Sequence, residues 1–221
     1  METSWRTLEN EYKTELQQLR MEKKFSKGEI LFSMGDRYEG FYVVKTGLFK
    51  VYILDTEGRE AILHIFQKDD IIAAPPVFGE ESSYPGFAET ISAGIVHFFP
   101  VGEFKRFLLQ NAKASFIFAC LAIKHVNFFR NKIFSLSFLS VKDRIILFLK
   151  EINATKSYVS LPIPKQQLAL LLGTTPESVS RAFTQLLKEN VIKEKHGMYR
   201  ILSMPSSLAE QMTYYPDTPN S

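Results

Sequence analysis

Glu177, Ser180, Arg181 and Thr184 recur at i, i+3, i+4 and i+7, so in a helix they share one polar face. Those side chains match the chemistry of base edges in a DNA major groove: arginine forks onto guanine O6 and N7, glutamate accepts from the cytosine amine, and a hydroxyl bonds either partner. A solvated helix face is the plainer reading of the same four residues, and spacing alone leaves both open. No catalytic constellation stands beside them. The chain shows no activated-nucleophile pattern, no metal-ligand spacing and no phosphate-cradling glycine loop, so an enzyme is not expected.

The elements that would hold this face are legible in KQQLALLLGTTPESVSRAFTQLL, residues 165 to 187. A first helix turns Leu168, Ala169, Leu171 and Leu172 inward, and Gly173 then permits a tight break at positive φ. Thr175 followed by Pro176 starts a second helix: the hydroxyl caps free amides, and proline loses nothing at the first helical position. Val179, Phe183, Leu186 and Leu187 form its inner side. The segment reads as a helix-turn-helix. Before it, residues 140 to 153 give a helix with Val141, Ile145, Leu149 and Ile152 in register; after it, VIKEKHGMYRIL gives two short strands around His196 and Gly197, similar to a wing.

Charge agrees with a nucleic-acid partner. Residues 140 to 200 hold ten Lys or Arg against five acids, whereas residues 1 to 139 hold seventeen of each, so the basic excess lies with the helix-turn-helix. The whole chain, 221 residues with a net charge of +3, has room for two modest domains. One cysteine, Cys120, excludes an internal disulfide framework and a four-cysteine metal site. No signal peptide is visible, and Lys124, Arg130 and Lys142 interrupt the longest apolar runs before a membrane span is complete, so a cytoplasmic location is expected.

Residues 4 to 24 read as an amphipathic helix with Trp5, Leu8, Tyr12, Leu16 and Leu19 on one side. From Phe25 to Pro100, short apolar runs alternate with turn signals: ILF then MGD, FYVV then KTG, LFKVYIL then DTEG, AILHIF then QKDD. This is the texture of an antiparallel β domain, a barrel or a sandwich. Beyond Glu103 the chain turns helical. Ala119, Ala122, Val126, Phe129, Ile133 and Leu136 are separated by alternating threes and fours, the spacing of a coiled-coil seam, and predict a parallel pair of helices in a homodimer. Burial of the helix against its own domain is the alternative. Residues 205 to 221, rich in Pro, Ser and Thr, read as a loosely ordered tail.

In order, FSKGEILFSMGD, FYVVKTG and LDTEGREAILHIFQKDDII, followed by LGTTPESVSR, make residues 25 to 202 resemble the bacterial CRP/FNR family of transcription regulators. The resemblance implies an α+β chain. Its N-terminal part would be an antiparallel β-barrel of the double-stranded β-helix or jelly-roll type, similar to cyclic-nucleotide-binding domains. It would sense an effector over residues 1 to 107, dimerise through residues 108 to 139, and bind DNA through a winged helix-turn-helix and tail over residues 140 to 221. It also implies roles. Glu177, Ser180 and Arg181 match the three base-reading positions of the FNR branch, E-x-x-S-R, and Pro176 stands where CRP itself has arginine, so a palindromic site with TTGA half-sites is implied. Lys165, Gln166 and Thr175 fall where the family holds phosphates, and RNA polymerase would be a partner if the chain activates.

The effector should not be cyclic AMP. Ala73 and Ala74 occupy the family's Gly-Glu positions for the ribose, and no arginine lies between Arg59 and Arg106 to meet a cyclic phosphate, which Glu80, Glu81 and Glu89 would repel. Cysteines for an FNR-type iron-sulfur cluster are missing, and Cys120 reads as a structural thiol. No cofactor is expected; haem would have to use His64, His97 or His125. A small organic effector against Phe78, Tyr84 and Phe87 is the working expectation, with core packing an equal account of each ring. A haem-based gas or redox sensor and a non-specific structural DNA binder are the competing functions.

Overall fold

The computed structural model describes residues 4–79 and 83–213, and the chain divides into two compact units, Met1–Val126 and Asn127–Ser221. The first begins with two short helices, α1 (Trp5–Glu11) and α2 (Lys13–Leu19), that break at Tyr12. Ser4 caps α1 by accepting from the Thr7 amide, and Trp5, Leu8 and Leu16 are buried. The single helix expected over residues 4 to 24 is corrected twice: it is split, and its last residues form a strand, β1 (Met21–Phe25), because MEKKF finds an edge to pair with.

Strands β2 (Ile30–Phe32), β3 (Gly40–Leu54), β4 (Glu60–Phe66), β5 (Ile71–Ile72) and β6 (Phe87–Pro100) complete one antiparallel sheet. Its path runs β1-β6-β3-β4, with β2 also on β6 and β5 also on β3. The hairpin expected at DTEG joins β3 to β4, closed by hydrogen bonds from Asp55 N–H to the Arg59 carbonyl and from Gly58 N–H to Asp55. KTG is not a break. FYVV and LFKVYIL form one strand that bulges between Val44 and Leu48, because Gly47, at φ +88, lies where a Cβ would come within 2.6 Å of Gly94 Cα on β6. A turn signal was satisfied here as a bulge.

Phe41, Phe99, Phe104 and Phe118 are almost fully buried, and Trp5 packs edge-on against Phe41 and Phe99 at 5.9 and 5.0 Å between ring centres. Burial of such rings is worth roughly 2 to 3 kcal/mol each. Asp70, in the turn before β5, accepts from the Gln67 amide at 2.8 Å, yet burial raises its pKa to about 6. Its folded value lies above the ordinary carboxylate value, so the fold is favoured where Asp70 is protonated and loses that contribution as pH rises from about 4 to about 6. Asp70→Asn, which keeps the acceptor, is expected to stabilise the protein at pH 7 by about 1 to 2 kcal/mol, and to flatten urea midpoints across that pH range.

α3 (Val101–Gln110) ends at Asn111, and α4 (Ala112–Phe138) follows as one long helix. Ala114, Ile117, Phe118 and Leu121 bury its first turns. Lys124 and Arg130 do not interrupt it enough to remove the apolarity of a membrane span: by length and composition alone α4 could cross a bilayer. Its apolar surplus lies instead in the buried first turns and in an exposed row, with Val126 and Ile133 each 65% exposed and Phe129 and Leu136 exposed as well.

The second unit holds α5 (Val141–Glu151), β7 (Val159–Ser160), α6 (Lys165–Leu171), α7 (Pro176–Lys188), β8 (Ile192–Lys195), β9 (Met198–Ile201) and α8 (Ser206–Thr213), with a three-stranded sheet ordered β7-β9-β8. A reciprocal capping box fixes the start of α5: Ser140 accepts from the Asp143 amide and Asp143 from that of Ser140. Part of the expected loose tail is helical. Pro205 accepts from the Ala209 amide, and Leu208 is buried, so α8 has an anchor that its Ser-rich start conceals. Residues 214 to 221 of that tail lie outside the described residues.

Candidate nucleic-acid interface and effector site

The helix-turn-helix is α6, a turn at Gly173, and α7. Leu168, Ala169 and Leu172 are buried, Leu171 is half-buried, and the chain reverses with Gly173 at φ +61. The Thr174 amide returns to the Ala169 carbonyl. The Arg144 guanidinium, on α5, donates to the Leu172 carbonyl and so caps the end of α6. Sequence reasoning passed over Arg144, since a lone arginine on a helix gives no sign of which carbonyl it will meet. Gly173 is pressed from the other side: a Cβ there would lie 2.7 Å from Leu136 Cδ2. Gly173→Ala should therefore cost about 1 to 3 kcal/mol in urea unfolding, from left-handed strain plus that contact, and adding Leu136→Ala should recover part of the loss.

At α7, Thr175 is the N-cap, accepting from the Ser178 amide at 3.3 Å, and Pro176 is the first helical residue. Val179, Ala182, Phe183 and Leu186 are buried beneath the helix. Glu177, Ser180, Arg181 and Thr184 are all exposed on its outer side, so the structure brings the residues expected to read bases onto one open face. Thr184 Oγ1 donates to the Ser180 carbonyl at 3.0 Å, and Arg181 donates to Ser178 Oγ at 3.3 Å, a contact easily exchanged for another acceptor. Donation from its own backbone amide, then from the Thr175 hydroxyl, holds the Glu177 carboxyl below the usual carboxylate range. Near neutral pH it is an acceptor.

Gln166 and Thr175 are exposed, but Lys165 is only half-buried, with its ammonium over the rings of Phe183 and Tyr199. The wing is a hairpin of β8 and β9 whose turn residues His196 and Gly197 both have positive φ, the requirement of a two-residue primed turn. Lys193 lies opposite Arg200, and both, with Lys195, are exposed. In sequence these charges were legible as a sum; their alternation along a strand is what gathers them on one face.

The three rings proposed for an effector have different neighbours. Phe78 is 52% exposed and lies 5.5 Å from Phe118. Tyr84 is buried, stacked on Phe32 at 3.9 Å, with its hydroxyl donating to the Gly40 carbonyl at 2.8 Å. Phe87 stacks on Tyr52 at 5.2 Å. Tyr38 donates to the carbonyl of Ala73, which itself takes a left-handed conformation, and Ala74 is fully buried. Glu80 and Glu81 lie outside the described residues. Glu89 does not stand as a free negative charge: Lys50, itself buried, pairs with it at 3.2 Å and with Glu60 at 2.8 Å.

His64 and His125 both approach Phe66, at 4.5 and 6.4 Å between ring centres, and burial lowers the pKa of His125. His97 belongs to another environment on β6, buried, 4.0 Å from Glu22, with its pKa also lowered by burial. Among the described residues, no three His, Cys, Asp or Glu side chains gather as a metal site.

Two family models match the chain, a cyclic nucleotide-binding domain over residues 22–111 and a Crp-like helix-turn-helix domain over residues 143–206. The anaerobic regulatory protein of Bacillus subtilis is 27% identical over 186 residues, covering 80% of this chain and 77% of that protein. The nitrogen fixation regulation protein FixK of Bradyrhizobium diazoefficiens is 28% identical over 185 residues, covering 80% and 76%. In structure the chain is similar to FixK2 from Bradyrhizobium japonicum, with a TM-score of 0.75 at 19% identity, covering 91% of this chain and 99% of that one.

Proposed function

The chain belongs to the CRP/FNR family of transcription regulators, DNA-binding proteins rather than enzymes, and from that premise we propose that it is a homodimer reading a palindromic site with TTGA half-sites. The observation that carries this reading is the open row of Glu177, Ser180 and Arg181 on the outer face of α7, over a buried Val179–Phe183–Leu186 underside. Arg181 would take guanine, the ionised Glu177 cytosine, and Ser180 either partner. Gln166, Thr175 and the wing cations would meet phosphates, adding affinity and salt dependence without sequence preference.

The exposed row on α4 is the proposed dimer seam, completed toward its start by the half-buried Ala119 and Ala122. Control is by a small effector other than cyclic AMP, acting on the β domain and resetting the spacing of the two recognition helices. The alanines at 73 and 74 and the lack of arginine from residue 60 to residue 105 support the exclusion. Among the expected rings, exposed Phe78 beside Phe118 of α4 is the one placed to sense an occupant; Tyr84 is a core residue with its hydroxyl already used. No resident cofactor is proposed. The protein would act in the cytoplasm, with RNA polymerase as a partner if it activates.

Fluorescence anisotropy tests the reading. A duplex with TTGA and TCAA half-sites, compared with a scrambled duplex at about 0.15 M salt, should bind preferentially, since phosphate binding alone is weakened there. Equal binding of both, maintained after unbiased site selection with candidate effectors, would leave a non-specific DNA binder as the better account.

A further inference from the structure

Lys165 opens α6, at a position whose family role is to hold a phosphate, yet its charge points elsewhere. The ammonium nitrogen lies 4.7 Å from the centre of the Phe183 ring and 5.9 Å from that of Tyr199. The two rings are themselves 4.9 Å apart and are 1% and 6% exposed. Phe183 is on the underside of α7, and Tyr199 is in β9, the wing strand central to its sheet. One cation therefore touches the buried faces of both elements that approach DNA, and ties them to the first helix of the motif.

Resting on the DNA-reading function proposed above, we infer that Lys165 is a positioning residue for the recognition helix, acting through Phe183 and Tyr199 rather than as a phosphate contact. Phe183 follows Ser180 by three residues and precedes Thr184 by one, so rotation of α7 about its axis moves the Phe183 ring and the reading face together. A cation held over the ring fixes that rotation from beneath. The attraction is that of a positive charge for the electron-rich ring face, and it strengthens where water is partly excluded, as it is over two buried rings. Arginine can make the same contact, since its guanidinium stacks on aromatic faces; methionine retains the stem without the charge. A helix held to within a fraction of an ångström discriminates bases, while contact with phosphate tolerates a looser fit.

The experiment uses the full-length protein with the TTGA duplex and a scrambled duplex, each titrated from about 0.05 to about 0.3 M salt. Lys165→Met is expected to weaken the TTGA duplex roughly three- to thirtyfold, to leave the scrambled duplex nearly unchanged, and to leave the salt slope on both as in the wild type. Lys165→Arg should restore preference. Phe183→Leu, which keeps the charge and removes the ring, should reproduce the loss, and the double variant should add little to either single one. A phosphate contact gives the opposite pattern: Lys165→Met weakens both duplexes alike and lowers the slope by about one. That result overturns the inference, as does an unchanged preference. Equal weakening of both duplexes together with a lowered melting temperature also overturns it, showing a merely structural residue. Failure of the underlying function is distinguishable, because the wild type itself would then show no preference, and the positioning role would fall with it.

Discussion

Arg181→Ala is expected to weaken binding to the TTGA duplex by a factor of about 5 to 150 at each half-site, while binding to a scrambled duplex changes little. The guanidinium sits in the middle of the exposed row on α7, and its hydrogen bond to Ser178 Oγ, 3.3 Å long, is weak enough to give up for a base. Because the side chain is solvated in the free protein, truncating it should leave thermal stability near that of the wild type, which separates a reading role from a folding one. The change should also relax preference: duplexes with the guanine replaced should bind the variant about as well as the intact site. Competition anisotropy over single-base variants measures this directly. Equal weakening on intact and scrambled duplexes would reassign Arg181 to the phosphates.

The recognition motif was legible because its determinants are local. Gly173, Thr175 and Pro176 act on the backbone within a few residues of themselves, and the inner row of Val179, Phe183 and Leu186 repeats along one helix. The fate of Lys165 was not legible in that way. Which ring a cation meets depends on Phe183 and Tyr199 arriving from α7 and β9, 18 and 34 residues further on, and spacing along one element says nothing of it. The same limit separates the two halves of the β-domain reading. DTEG closes a hairpin that its own hydrogen bonds define, so it was readable; KTG carries an equally strong turn signal, but Gly47 faces Gly94 on β6 and the chain continues straight as a bulged strand.

The candidate effector residues were the least legible, because core packing was an equal account of each ring. Phe78, Tyr84 and Phe87 lie within ten residues of one another. The sheet assigns them separate tasks: Phe87 opens β6 against Tyr52, Tyr84 is fastened to Gly40 beneath Phe32, and Phe78 faces α4. Aromatic residues serve cores and pockets with the same chemistry, so only neighbours from distant strands decide between them. Polar determinants argue differently: the lack of arginine between Arg59 and Arg106 removes the charged donors that this stretch could offer a buried phosphate by a guanidinium fork.

Charging the row on α4 should have the largest effect on DNA binding of any change in the first 140 residues. Val126 and Ile133 are seven residues apart, each 65% exposed, on a helix whose composition would otherwise suit a membrane. In the homodimer proposed above, this exposed apolar row at alternating spacings of three and four would be covered by a second copy, each side chain entering a gap in its partner's row. Val126→Glu combined with Ile133→Glu would set like charges against each other across the two-fold axis in two successive heptads. The variant is expected to sediment as a monomer at micromolar concentration and to keep its fold, since neither residue is buried in the single chain. Its affinity for the palindromic duplex should fall by about two to four orders of magnitude, because the second half-site is no longer bound at high effective concentration. A duplex with one half-site should bind the variant and the wild type more nearly alike, which distinguishes loss of pairing from damage to the recognition helix. A variant that still sediments as a dimer would show that copies of this chain meet elsewhere, and the apolar row on α4 would then need a different occupant.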